Sequence, residues 1–402
     1  MPPIFNTCNF SYFMVNLKSI IILLLFVVIL KGCSQSGFNI HNVKAIKTLQ
    51  NAGSLTFRFD SISTKNIDFK SYSCSSISAL TISDSACLVL RNNTNNTLDV
   101  YNLESDKFMY TIDVPVDYRV CEDMNSTFIK GNSVYHLENK DGAFYTATLA
   151  DKKLNLNTYV NANKTMLDKK LINLTLSGLT QIYVTSDSLL FFTVGNPFGA
   201  KVYPITAELN LKTNEIKEIG IKQPMFLYKN DFGLSRPIQQ LYADDFILYA
   251  CNALPEIWKF NLRDNTILRY ICRSSFQTDS ILPLPFRSNP YNKDRAFDIF
   301  MHSARYEKLI YDEYRNLYYR FFILPMPQKN EQGFFNTYKD RQISVMVLDE
   351  NFNLMGETLL PKMCFGLFLV ATSKQGLFIN YGPFSKAMGN EYNILKITFT
   401  KN

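Results

Sequence analysis

The residues best suited to chemistry crowd into one stretch, Tyr311-Asp312-Glu313-Tyr314-Arg315-Asn316-Leu317-Tyr318-Tyr319-Arg320. Tyrosine faces stack on sugars and other rings, and arginine forks onto carboxylates or phosphates, so this composition suits recognition. Read as a hairpin, residues 310–312 end one strand, 313–316 turn, and 317–324 return. The same residue types also suit plain packing, with arginine and aspartate paired across the turn. The candidate binding residues are Arg295, Tyr318, Arg320, Tyr311 and Asp312.

Bond-making chemistry has no comparable signature. The chain lacks a nucleophile elbow, a zinc-protease helix motif, a dinucleotide fingerprint and a Walker loop. Adjacent acids occur at Glu122-Asp123, Asp244-Asp245, Asp312-Glu313 and Asp349-Glu350. Neighbours in a strand point to opposite faces, so none is by itself a general acid and base pair. Histidine occurs only at 41, 136 and 302, and no cysteine pair has C-x-x-C spacing, so neither a metal site nor a cofactor is expected. The formal net charge of +7 is scattered, without the concentrated basic stripe that nucleic acid requires.

The other reactive residue is Cys33. Eleven apolar residues, 20–30, follow Lys18 and precede Lys31-Gly32-Cys33. Such a segment rises only ~16 Å as a helix, about half a bilayer core, which suits a secretory leader. Gly32-Cys33 resembles a bacterial lipobox, which implies diacylglycerol on Cys33 and a new N-terminus there; the alternative is an uncleaved anchor. Residues 1–32 are thus read as signal peptide, with Met14 as the expected initiator, and residues 33–53 as a lipidated tether. The sequence after Cys33 lacks an acidic run, so an outer-membrane lipoprotein on the periplasmic face is expected. Cys74, Cys87, Cys121, Cys251, Cys272 and Cys364 sit mostly in apolar runs and read as buried thiols, although an exported domain also permits disulfides.

What positions these residues is a repeat. An alternating strand, a short polar turn and a second alternating strand recur around Tyr101, Thr148, Glu208, Phe260, Val347 and Ile397. The intervals are 47, 60, 52, 87 and 50 residues, each copy preceded by another hairpin-like pair. Propeller blades run ~40–50 residues as four antiparallel strands. Phe and Tyr, at 32 and 23 residues, favour strands over helices. Residues 54–402 are therefore expected to form an all-β, six-bladed β-propeller of four-stranded antiparallel blades. The last copy lacks its final strand, so residues 55–59 should close the ring against residues 392–400. A β-sandwich, or two smaller β domains, is the competing architecture.

Two insertions break the repeat. Residues 276–305 hold Pro283, Pro285 and Pro290, then a helical pattern over 294–306, the one short helix expected; residues 325–341 form a long loop. In a four-stranded blade the inter-blade link and the second-to-third strand loop emerge on one face. Both insertions should share that rim, with the turn at 313–316 on the opposite face. Arg295, Tyr318 and Arg320 are accordingly favoured over Tyr314 and Arg315.

Arg295-Ala296-Phe297 together with residues 310–320 resembles a family of uncharacterised Bacteroidetes envelope lipoproteins. Those carry a similar D-R-A-F stretch and a Y-D-x-Y-R-N-x-Y-Y-R signature. The resemblance implies a propeller-like fold and an envelope address, with no catalytic residue to carry over. Asp-Ser-apolar tripeptides at 60–62, 84–86, 187–189 and 279–281 resemble acceptors of Bacteroidetes O-glycosylation, and are equally ordinary turn chemistry. The expected function is non-catalytic binding of a glycan or envelope protein by a membrane-anchored propeller. The alternative is a carbohydrate-active hydrolase or lyase working in the central funnel.

Overall fold

A computed structural model describes the chain from residue 45 to 401, apart from segments 48–54, 65–71, 114–126, 138–143, 159–181, 194–203, 223–231, 282–299, 363–369 and 382–391 and some shorter turns. Two strands come first, β1 (Ala45–Lys47) and β2 (Leu55–Thr64). Runs of four follow: β3 (Tyr72–Ile82), β4 (Ser85–Asn92), β5 (Thr97–Asn102) and β6 (Lys107–Asp113), then β7 (Thr127–Lys130), β8 (Ser133–Leu137), β9 (Phe144–Thr148) and β10 (Lys153–Thr158). The third and fourth runs are β11 (Ile182–Val184), β12 (Leu189–Thr193), β13 (Pro204–Asn210) and β14 (Ile216–Lys222), then β15 (Ile238–Tyr242), β16 (Phe246–Cys251), β17 (Glu256–Asn261) and β18 (Ile267–Ile271). The fifth is β19 (Arg305–Asp312), β20 (Leu317–Ile323), β21 (Ile343–Leu348) and β22 (Leu354–Leu359), and the chain closes with β23 (Val370–Ser373), β24 (Gly376–Tyr381) and β25 (Tyr392–Lys401).

Within each run, successive strands pair antiparallel, and the fold is an all-β propeller of four-stranded blades with almost no helix. The turns explain why the sequence repeats as it does. Asn102, Asn210 and Asn261 end the third strand of their runs and Asp349 directly follows it; each accepts, through the side-chain oxygen, from backbone N–H groups two or more residues on. Such side-chain caps fold the chain back without help from distant residues. Asp84 and Ser188, in two of the Asp-Ser pairs, adopt positive φ, which assigns those pairs to turns. Phe352 also sits at φ 61, unusual for a bulky side chain, and is held there by burial against the rings of Tyr270 and Tyr318.

The expectation of six separate blades is corrected: the described strands form five hydrogen-bonded sheets. The runs β3–β6 and β7–β10 merge into one eight-stranded sheet because the outer strands β6 and β10 meet in parallel through one pair, Asp113 and Lys153. Part of the segment read as tether is a strand. Residues 45–47 pair in parallel with β18, whose outer edge would otherwise present unpaired backbone groups. Of the helix expected over 294–306, residues 300–302 are helical while Arg305 and Tyr306 already belong to β19; residues 294–299 lie outside the described residues.

Closure by an N-terminal strand is seen directly. β2 pairs antiparallel with β25 along its whole length, from Leu55 opposite Lys401 to Thr64 opposite Tyr392. The core is not one lump but a series of apolar layers between neighbouring sheets. One holds Phe321, Val345, Ile379 and Ile397; another holds Leu248, Ile257, Leu309 and Phe322. Cys87, Cys251 and Cys272 are reduced and buried, while the other cysteine side chains lie outside the described residues. Desolvation pushes the Cys87 and Cys251 thiols up to about 12, leaving almost no thiolate at neutral pH. Iodoacetamide at pH 8, followed by site-resolved mass spectrometry, should leave both unmodified in the native protein and alkylate both in denaturant. Native alkylation of either would show that its blade is not packed as described.

Candidate functional site

The two insertions meet at one rim. A helix end leaves its last carbonyls without intrahelical partners, and here side chains and backbone from β19 and the 325–341 loop supply donors. Phe300 O accepts from Arg305 Nη1 at 2.6 Å, and Met301 O from Arg341 Nη2 at 3.0 Å. Met326 N donates to His302 O at 3.0 Å. Both ends of the second insertion are thereby pinned to the end of the first, as the shared-rim geometry requires.

The second insertion is a stiff hairpin rather than a slack loop. Asn330 Oδ1 accepts from Gln332 N and Phe334 N at 3.1 and 2.9 Å, and Asn330 N donates to Phe334 O at 2.8 Å. Gly333 turns the chain at φ +84, a conformation a larger residue would resist. Asn336 Nδ2 donates to Pro327 O at 2.8 Å, and Thr337 with Asp340 caps a short 3-10 turn, Tyr338–Asp340. This scaffold displays Phe334 and Phe335, 71% and 72% exposed, with Lys329 Nζ 4.9 Å above the Phe335 ring. Two adjacent exposed phenylalanines on an ordered tip are unusual on a surface that serves no contact.

Two desolvated arginines meet the end of the first insertion. Arg305 is buried, its Nε donates to Glu307 Oε1 at 2.8 Å, and its guanidinium stacks 3.7 Å from the Phe300 ring centre. Arg341, also buried, lies 5.8 Å from the same ring, and its Nε has no acceptor among the described residues. Lys308 occupies a bulge: Glu307 faces Phe321 and Leu309 faces Arg320, leaving Lys308 as the extra residue, at φ 30. Gln239 of β15 secures the bulge, donating from Nε2 to Leu309 O at 3.1 Å and accepting from Leu309 N at 2.5 Å. Burial pulls the Lys308 amine down to about 8, against the nearby Glu307 carboxylate. Burial, then the Arg305 charge, pulls Arg341 down to about 10, and burial lowers Arg305 despite Glu307.

The candidates singled out from sequence are split by the fold. Arg320 is buried, donates to Cys251 O and Leu254 O at 3.0 and 2.7 Å, and stacks 4.0 Å over Tyr306. Asp312 is fully buried, accepting from Tyr319 Oη and Arg315 Nη1, both at 2.8 Å. Tyr318 is buried between Tyr311 and Phe352. These three knit the fold instead of facing a ligand, because blade-to-blade packing covers them; only Tyr311 stays exposed. Arg295 and Cys33 lie outside the described residues. Tyr314 and Arg315 serve structure as expected: Tyr314 Oη donates to Asp84 Oδ1, and Arg315 to Ser373 O and Lys374 O. Sequence reading missed Glu307, Lys308, Arg341 and the Phe334-Phe335 tip. The tip carried a signal, since two aromatics inside a Pro- and Gly-bearing loop have no strand to pack in; the bulge carried none.

Comparison with known proteins agrees with this architecture. A family described as "Domain of unknown function (DUF4221)" matches residues 46–359. A crystal structure of a DUF4221 member from Bacteroides vulgatus is similar, with 16% identity, 88% of this chain and 100% of that chain covered, and a TM-score of 0.65. A Bacteroides fragilis protein named as exported is similar at 11% identity, covering 89% of this chain and 100% of that one, with a TM-score of 0.50. No curated protein matches the sequence.

Proposed function

We infer the function from one premise, that this chain belongs to the DUF4221 family, whose activity is undefined. In this reading the protein is an exported lipoprotein, held by diacylglycerol on Cys33 at the periplasmic face of the outer membrane, that binds a glycan or envelope protein at the insertion rim without transforming it. The similarity to a chain named as exported and the leader pattern support the address. With residues 45–47 bound to β18, the tether shortens to residues 34–44.

The observation that carries the binding reading is the Phe334-Phe335 tip, stiffened by its own hydrogen bonds and pinned beside the first insertion. Holding apolar side chains in water on a rigid support is favourable only if a partner covers them in use. Glycosidic hydrolysis would ask for two carboxylates flanking a bond; at the described rim Glu307 is paired with Arg305 and Asp340 is engaged by Thr337.

One experiment tests address and rim together. A photoreactive benzoylphenylalanine replaces Phe334 in the native host, in wild-type and Cys33→Ala backgrounds, with Lys217 replaced as an exposed control. A discrete adduct is expected from position 334 in the membrane fraction, absent from position 217. The Cys33→Ala chain should leave that fraction. Retention of Cys33→Ala with the membrane would refute the anchor, and equal labelling from 217 and 334 would refute the rim.

A further inference from the structure

The pairing of β1 fixes the direction from which the chain enters the propeller. β18 is the outermost strand of its run of four, and β1 lies outside it in parallel, Ala45 opposite Arg269 and Lys47 opposite Ile271. Parallel partners run the same way, so residue 45 lies toward the start of β18 and residue 47 toward its end. Those two ends belong to opposite faces. The start of β18 follows a turn in which Leu262 N donates to Asp245 O at 2.9 Å and Arg263 Nη2 pairs with Asp245 Oδ1 at 2.7 Å. Its end leads to Cys272, whose N donates to Pro255 O at 2.7 Å, in the loop whose Asn252 O accepts from Tyr306 N at 2.8 Å. Tyr306 lies at the start of β19, at the root of the insertion rim. β1 therefore climbs from the turn face towards the rim, and its N-terminal end is the one on the turn face.

β2 repeats this polarity independently. Leu55 lies opposite Lys401, and Thr64 opposite Tyr392. β25 runs past the β23–β24 turn to reach Lys401: Ile397 faces Leu377, and Lys396 Nζ donates to Gln375 Oε1 of that turn at 2.9 Å. The same turn touches the 313–316 turn, since Arg315 Nη2 donates to Lys374 O at 2.9 Å. Both N-terminal strands thus begin on the face opposite the rim. Chain length decides what that polarity can achieve. Residues 34–44 make eleven links, with a root-mean-square reach of ~18 Å and a limit of ~36 Å. β18 alone spans ~17 Å between the faces, and the hairpin carries Phe334 and Phe335 beyond the rim. Bringing the tip to the anchoring membrane would need the tether near full extension, a single path against many coiled ones, so conformational entropy opposes it.

We propose that the turn face is the membrane-proximal face of the anchored protein, and that the insertion rim with its Phe334-Phe335 tip is presented away from the anchoring membrane. This orientation rests on the Cys33 anchor reading, and it assigns the rim's partner a position. Lipid of the anchoring leaflet does not cover the tip. The partner stands off that leaflet and meets the protein on the far side of the ring, while the turn face and the short tether act as a spacer.

The test uses the acylated full chain, purified from the native host and reconstituted into vesicles of phosphatidylethanolamine and phosphatidylglycerol. Part of the lipid carries a nickel-chelating headgroup, a short-range quencher. A fluorescent unnatural residue replaces Glu313 in the turn face or Phe334 in the tip, both exposed and both on the blade of β19–β22. Quenching is expected to be at least about twofold stronger from 313, because the tether's coiled reach of ~18 Å ends short of the tip. Arg263, at another exposed turn, keeps the comparison if the first variant misfolds. Inserting about forty Gly and Ser residues after residue 40 raises that reach to ~39 Å and should erase the difference. Equal quenching in the unlengthened chain, or stronger quenching from 334, would overturn the orientation. So would a difference that survives the insertion, since the tether would then not be its cause. Vesicles that float without the chain would overturn the anchor reading and the orientation with it. A discrete adduct at position 334 with equal quenching would remove the orientation alone; loss of that adduct would instead count against the rim reading.

Discussion

Deletion of residues 55–64 is expected to abolish cooperative folding of the whole domain, although it removes one of twenty-five described strands. β25 would lose its partner along ten residues and expose a long edge of unpaired backbone groups. Cross-strand pairs are worth roughly 0.2–1 kcal/mol each, so ten of them amount to several kcal/mol. Leu55 leaves the core layer beside Gly356, and Phe57 leaves the Phe399 ring, whose centre is 6.0 Å away. Domains are stable by only about 5–15 kcal/mol, so the combined loss consumes most of the margin. Size-exclusion chromatography should show aggregates, and circular dichroism a broad, non-cooperative melt. A monomeric deletion variant with a sharp transition would mean that the ring does not depend on this strand.

Asp312→Ala should be the most damaging single substitution in the hairpin, costing about 3–5 kcal/mol in a denaturant titration. The carboxylate is fully buried and serves three donors: Tyr319 Oη at 2.8 Å, Arg315 Nη1 at 2.8 Å and Tyr314 N at 3.1 Å. Truncation leaves the buried Tyr319 hydroxyl without its acceptor and frees Arg315, which otherwise fastens the β23–β24 turn through Ser373 O and Lys374 O. Arg315→Ala should cost less, because its side chain is partly in water and Asp312 keeps Tyr319 Oη and Tyr314 N as donors. Equal losses for the two variants, or a loss below about 1 kcal/mol for Asp312→Ala, would contradict the view that this carboxylate organises the junction of the β19–β22 sheet with the closing sheet of β2 and β23–β25.

Asp312 also shows where sequence reading stopped. Its pairing with Arg315 across the turn was one of two readings available from the residues, since both partners lie within one hairpin. Whether a ligand or the protein itself used that pair depended on Ser373 and Tyr319 closing over it. Arg320 is similar: its acceptors are the carbonyls of Cys251 and Leu254, more than sixty residues away in sequence. Side-chain type says that an arginine can fork onto oxygen; only packing says whose oxygen it meets.

The sequence by itself determined the properties that are local or periodic. Alternation at period two made the strands, Asn and Asp at strand ends made the turns, and a final repeat short of one strand required a partner from the other terminus, because an open edge is costly. Tertiary structure alone decided the properties that depend on how blades meet. The joining of β6 to β10 rests on one residue pair, and the bulge at Lys308 on a one-residue difference between β19 and β20 that an amide from β15 makes tolerable. Burial of Arg305 and Arg341 beside the Phe300 ring is likewise a sum over segments far apart in the chain. Periodicity survives in a linear string because each residue reports on its own strand, whereas desolvation and shared charge belong to neighbours that the string does not place together.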